Sequence, residues 1–154
     1  MAKKSAGILL FRITNKTLEV LLVHPGGPYF IKKDMGAWSI PKGELEDDED
    51  EFNAAIREVK EETGIELKGD FIELSPVKQK SGKLVYAWAK KNDIDLAKIK
   101  SNSFEIEWPP KSGKKKHFPE IDKAVWFAID EAKKKIIPGQ AALLDELEKK
   151  LLNA

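Results

Sequence analysis

Apolar and β-branched residues gather in two blocks near the start of the chain, Ala6–Ile13 and Leu18–His24. The polar stretch Thr14-Asn15-Lys16-Thr17 divides them. Such blocks read as two strands, joined as a hairpin or lying as neighbours. Pro25-Gly26-Gly27-Pro28 ends the second block and opens a loop to about Gly36. Trp38-Ser39-Ile40 reads as a short strand stopped by Pro41. Seven of the eight residues from Glu44 to Glu51 are acidic, Leu45 being the exception. The pattern then changes to helical spacing: Phe52, Ala55, Ile56 and Val59 predict a helix over about 50–63 with one buried stripe. Asp48 is a candidate N-cap with Glu51 three residues on, and Gly64 fits the C-terminal cap. Phe71–Val77, Leu84–Ala89, Phe104–Trp108 and Ala124–Phe127 read as further strands. Asp130–Lys135 and Gly139–Leu152 read as helices, the second with Ala142, Leu143, Leu147 and Leu151 on one face. Strands interrupted by one central helix and closed by helices predict an α/β domain, a mixed sheet sandwiched between α-helices. Strand order does not follow from the pattern.

Composition narrows the chemistry. At 154 residues, with 42% hydrophobic and 34% charged residues, the chain fits one globular domain over residues 1–154. It has no cysteine, which excludes disulfide scaffolds, thiol catalysis and cysteine-ligated metal centres together. With only His24 and His117, a multi-histidine site is also disfavoured. A net charge of +1 gives no global field for nucleic acid or an anionic membrane. The apolar run Ala6–Phe11 is too short for a membrane span or a signal peptide, although Lys3 and Lys4 precede it. These features lead us to expect a cytoplasmic protein, monomer or homodimer, with no membrane and no nucleic-acid partner.

The informative segment is Gly43–Ile65. At about 100° per residue, Glu58, Glu61 and Glu62 share one helix flank beside the apolar stripe. Carboxylates at such spacing repel one another, and a divalent cation would neutralise them. An all-oxygen set suits magnesium or manganese. Arg57 carries a permanent charge that can pair with a neighbouring carboxylate. Gly43 and Gly64 bracket the unit and permit sharp turns at both ends. Read alone, such a helix face is usually nothing more than solvated surface.

The full pattern resembles the Nudix box, G-x5-E-x7-R-E-U-x-E-E-x-G-U with U aliphatic. Gly43, Glu49, Arg57, Glu58, Glu61, Glu62 and Gly64 occupy every fixed position, and Val59 and Ile65 the aliphatic sites. Trp38-Ser39-Ile40-Pro41-Lys42-Gly43 resembles the family's lead-in to the box. Ala124-Val125-Trp126-Phe127 with Asp130-Glu131-Ala132 resembles its closing strand and helix. The resemblance implies the Nudix fold and magnesium- or manganese-dependent hydrolysis of a phosphoanhydride in a nucleoside diphosphate-linked substrate. It implies Glu58, Glu61 and Glu62 as metal ligands, and Glu49 with Arg57 as an orienting ion pair. One carboxylate would serve as general base: a box glutamate or Glu120, which lies where some members add a glutamate and is also a candidate metal ligand. Glu105 and Glu107 are weaker candidates, since they alternate with Phe104, Ile106 and Trp108 as solvent-facing strand positions do.

A polyphosphorylated substrate gives several further residues a candidate role. Lys42 directly precedes the box. Lys111, Lys114, Lys115 and Lys116 form a basic loop before Glu120 that either gathers phosphate or is merely solvated. Tyr86 and Trp88 share one strand face and either sandwich a base or fill the core. Their strand resembles the base-contacting strand of dinucleoside polyphosphate hydrolases in the family. Dinucleoside polyphosphates and nucleoside triphosphates therefore lead, with ADP-ribose-like sugars behind them. A non-catalytic nucleotide-binding Nudix module is the competing class, but such modules typically lose box glutamates. Neither His24 nor His117 receives a role from sequence.

Overall fold

The computed structural model describes residues 3–153. In order, its elements are β1 (Lys4–Thr14), β2 (Thr17–Pro25), β3 (Lys42–Glu44), α1 (Glu51–Thr63), β4 (Ile72–Lys78), β5 (Leu84–Lys91), β6 (Ser103–Glu107), β7 (Lys115–Pro119), β8 (Ile121–Ala128), α2 (Ile129–Lys135) and α3 (Ala141–Leu152). β1 and β2 are antiparallel around Asn15 and Lys16, whose φ values of 50° and 66° suit a tight two-residue turn.

The apolar run of β1 is continuous because both of its faces are buried. Ala6, Ile8 and Leu10 pack with Ala54, Ala55 and Val59 of α1. Leu9 and Phe11 pack on the other face with Ala132 of α2 and Leu143, Leu144 and Leu147 of α3. The main sheet runs β4-β5-β1-β2-β8, with β3 also paired to β1. β1 and β5 are parallel and the remaining ladders antiparallel, so the sheet is mixed and lies between helical layers. β6 and β7 form a separate hairpin.

Several local expectations change. Asp48 does not cap α1; it sits at φ 61°, and Asp50 accepts from the Asn53 amide at 3.1 Å. Trp38 and Ser39 make only isolated bridges, to Ile136 and Val23, and the strand entering the box is β3 instead. The basic stretch read as loop is partly strand, since Lys115, Lys116 and His117 pair with Glu107, Ile106 and Glu105. Ala142 is exposed, and Leu144 takes its place on the buried face of α3.

Candidate functional site

β3 and α1 meet at right positions for the acidic cluster because Gly43 lacks a side chain. A Cβ on Gly43 would stand 2.0 Å from the carboxyl carbon of Glu58. Gly43 pairs with Ala6 inside the sheet, so it supplies room for a carboxylate and not the turn its sequence position suggests. Gly64 does act as a turn residue: its φ is 77°, and its N–H caps the Lys60 carbonyl at 2.7 Å.

Arg57 organises the outer side of the cluster. Its Nε and Nη2 donate to the two Glu49 oxygens at 2.7 and 2.9 Å, a bidentate fork. Nη2 also donates to the Glu44 carbonyl at 3.2 Å, closing the acidic loop over the helix. Nη1 donates to Glu58 at 3.0 Å and to both oxygens of Glu61 at 3.2 Å. The Arg57 hydrogen bonds, with a smaller one from the Glu46 amide, hold the Glu49 carboxyl below its ordinary value.

The inner side is different. Glu62 is 7% exposed, and its Oε2 has no hydrogen-bond partner. Desolvation, and then the charges of Glu58 and Glu120, push its carboxyl up to about 8. Desolvation likewise raises Glu58. Lys42, on the same wall, is held below its ordinary value by burial and then by Lys83, against the pull of Glu62, Glu44 and Glu58. A cavity of about 250 Å³ opens here, lined by Ser39, Lys42, Glu62, Gln79, Glu120 and Ile121 among others. Glu120, at the junction of β7 and β8, is thus carried from a distant part of the chain to Glu62. Its carbonyl accepts from Gly26 at 2.9 Å and its amide donates to Asn102 at 2.8 Å.

Not every sequence candidate joins this pocket. Glu61 is exposed on the flank, tied to Arg57. Tyr86 and Trp88 pack against the α1 side of the sheet, Trp88 edge-on to Phe52 at 5.1 Å, which is the core alternative. Lys111, Lys114, Lys115 and Lys116 lie exposed along the β6–β7 hairpin. Sequence reasoning missed Gln140, which is fully buried. It accepts from the Ile40 amide at 3.1 Å and donates to Ser39 and Gln79 at 3.0 Å, fixing two pocket residues. It missed His24 too, which is buried with Nδ1 2.8 Å from Asp122 and Nε2 2.6 Å from the Lys33 carbonyl. Neither residue carries a local sequence signal, because each depends on long-range pairing.

The NUDIX domain family matches residues 1–147. The chain belongs to the Nudix family. This Nudix chain is 31% identical over 120 residues to Nudix hydrolase 5 of Arabidopsis thaliana, covering 77% of this chain and 35% of that one. It is 32% identical over 118 residues to the asymmetrical bis(5'-nucleosyl)-tetraphosphatase of Rattus norvegicus, covering 69% and 71%. It spans roughly a third to two fifths of the length of the Arabidopsis relatives Nudix hydrolases 5 and 6. A C. elegans Ap4A hydrolase binary complex superposes with a TM-score of 0.69 at 24% identity, covering 99% of this chain and 100% of that one. The NUDIX domain of Shewanella oneidensis NrtR, complexed with ADP ribose, gives 0.65 at 15% identity over 98% and 89%. At these identities the superpositions establish the fold alone.

Among the described residues, no three acidic or histidine side chains are already grouped as a metal cage. Glu58 and Glu61 instead accept hydrogen bonds from Arg57. The donor set nonetheless fits a hard cation: all oxygens, one of them a buried carboxylate atom without a partner.

Proposed function

We propose that this Nudix protein is a magnesium- or manganese-dependent pyrophosphohydrolase of nucleoside polyphosphates. A dinucleoside polyphosphate or nucleoside triphosphate is the favoured substrate. The observation that carries the reading is Glu62, whose unpartnered buried oxygen stands beside Glu58 and Glu120. Burying a carboxylate against like charges is costly unless a cation completes the group. Glu58 and Glu62, with Glu61 from the flank, are the side chains that would hold such an ion, and Glu120, the remaining candidate ligand, is assigned as the base. When bound, the ion offsets phosphate charge and promotes attack of water on phosphorus.

The chain's own residues do the rest. Lys42 contributes a cation to the same wall and counters the substrate's phosphates. Gly43 leaves the space in which Glu58 sits, and the Glu49–Arg57 fork keeps the acidic loop and helix in register. Glu120 reaches the pocket from another element and is free to act as the base on the attacking water. The presence of every box glutamate argues against the non-catalytic module. The dinucleoside preference rests on the similarity to the rat tetraphosphatase.

The test is a panel of diadenosine tetraphosphate, nucleoside triphosphates and ADP-ribose, with product identification, in magnesium and in excess chelator. Magnesium-dependent cleavage of a phosphoanhydride is expected, with diadenosine tetraphosphate or a triphosphate the fastest substrate. Absence of cleavage across the panel in magnesium, or equal rates in chelator, would overturn the reading.

A further inference from the structure

A second cavity, about 710 Å³, lies between the loop after β2 and the β6–β7 hairpin. It adjoins the carboxylate pocket through continuous chain: Glu120 and Ile121 line the first cavity, while Phe118, Pro119 and Asp122 line the second. Pro25 and Gly27 divide in the same way. We infer that this cleft is a nucleobase subsite, taking an amino-bearing base of a polyphosphate substrate whose phosphates occupy the carboxylate pocket. The inference rests on the proposed pyrophosphohydrolase reading and adds to it where the base goes.

The carboxylate pocket alone, at about 250 Å³, is small for a nucleotide, and the adjoining cleft supplies volume in the range of small-molecule sites. Its walls are aromatic. Tyr29 and Trp108 stand 5.3 Å apart with ring planes 82° to each other, forming a corner and not a closed stack. A planar base can lie flat on one ring with its edge toward the other, a contact open to any base. Tyr29 is 55% exposed and Ile31 67%, an apolar lining left open to water beside the site. Lys32 and Lys33 also line the cleft, which suits an anionic substrate. Asp122 supplies selectivity: the structure pairs its Oδ1 with His24, and the group remains partly exposed in the cleft wall. A carboxylate accepts and does not donate, so it favours a base presenting an amino group.

The cleft is also built to keep its shape. A Cβ on Gly26 would fall 1.8 Å from the Pro119 carbonyl oxygen, and one on Gly27 2.8 Å from the Phe104 ring. His24 bridges Asp122 to the Lys33 carbonyl, pinning the far end of the loop.

The experiment follows the indole N–H resonances of the full-length protein while AMP is added. The chain has four tryptophans, and only Trp108 lines the cleft. AMP should move the Trp108 resonance and leave Trp88, beneath α1, in place. Tyr29→Leu should weaken AMP about tenfold, the scale of one base–aromatic stack. Purine riboside monophosphate, which lacks the amino group, should also bind about tenfold more weakly, the scale of one lost hydrogen bond to a charged acceptor. Response of Trp88 in place of Trp108, no response at millimolar AMP, or unchanged affinity in Tyr29→Leu would overturn the subsite. Equal affinity for the two monophosphates would overturn the role given to Asp122. The two readings separate cleanly. Nucleotide hydrolysis without a Trp108 response defeats the cleft alone. A Trp108 response without hydrolysis of any nucleotide defeats the pyrophosphohydrolase reading alone.

Discussion

Gly43 touches Glu58 so closely that a single methyl group would displace the carboxylate, 2.0 Å separating the would-be Cβ from the carboxyl carbon. Gly43→Ala should therefore act on catalysis more than on folding. The obstructed atoms belong to the end of a flexible side chain, so stability should fall by only about 1 kcal/mol. A carboxylate misplaced by an ångström should lower kcat about a hundredfold. Gly64→Ala should behave oppositely: nothing lies within 4 Å of its Cβ position, but φ is 77°. It should cost about 1 kcal/mol in strain and leave kcat near the parent value well below the melting temperature. Thermal unfolding and steady-state kinetics on both variants check this.

The Glu49–Arg57 fork should show itself as non-additivity. Arg57→Lys keeps the charge but loses the bidentate geometry, and Glu49→Gln removes the carboxylate charge and one of its two acceptor oxygens. Each should lower the melting temperature and kcat. The double variant should be little worse than Arg57→Lys alone, because both changes break the same fork. Additive losses in a double-mutant cycle would show that the two residues act separately.

The box itself was legible because its function requires fixed spacing on one helix. Glu49, Arg57, Glu58, Glu61 and Glu62 all lie within one contiguous stretch, and helical periodicity gave α1 to within a residue. What stayed hidden depends on tertiary contact. Glu120 reaches Glu62 only through the β8 pairing with β2, and Gln140 meets Ser39 across about a hundred residues. The Asp48 cap failed because two acidic residues compete, and backbone geometry chose Asp50. Tyr86 and Trp88 share a face, as period two requires, but nothing local states which layer that face meets.

Without metal, Glu62 should make stability depend on pH. Its folded carboxyl titrates at about 8, above the ordinary 4.5, so folding favours the protonated form. That contribution is fully present below pH 4.5 and is lost as pH rises through about 8. Chemical denaturation in chelator should show stability declining across this window. Glu62→Gln should flatten the decline, and so should saturating magnesium, because a cation replaces the proton. An unchanged pH slope in Glu62→Gln would assign the effect elsewhere.

Glu120 and Glu61 should separate by role. As the base, Glu120 should show in Glu120→Gln a kcat lower by about two to four orders of magnitude, with most magnesium-dependent stabilisation retained. Glu61→Gln should also lower kcat, but with a smaller magnesium-dependent shift in melting temperature. Metal-free stability should change by less than about 1 kcal/mol, because relieved repulsion along the flank offsets the weakened pair with Arg57. Calorimetric melts with and without magnesium, beside kinetics, distinguish the two patterns.

The central claim is that the buried Glu62 carboxylate and its acidic neighbours take a divalent cation. Titrating Mn²⁺ into the protein and following free ion by electron paramagnetic resonance tests it most directly. Parent protein should bind Mn²⁺ in competition with magnesium, and Glu62→Gln should weaken that binding at least about tenfold. Glu46→Gln, on the exposed loop outside the pocket, should match the parent. Equal Mn²⁺ affinity in the parent and Glu62→Gln would contradict the account.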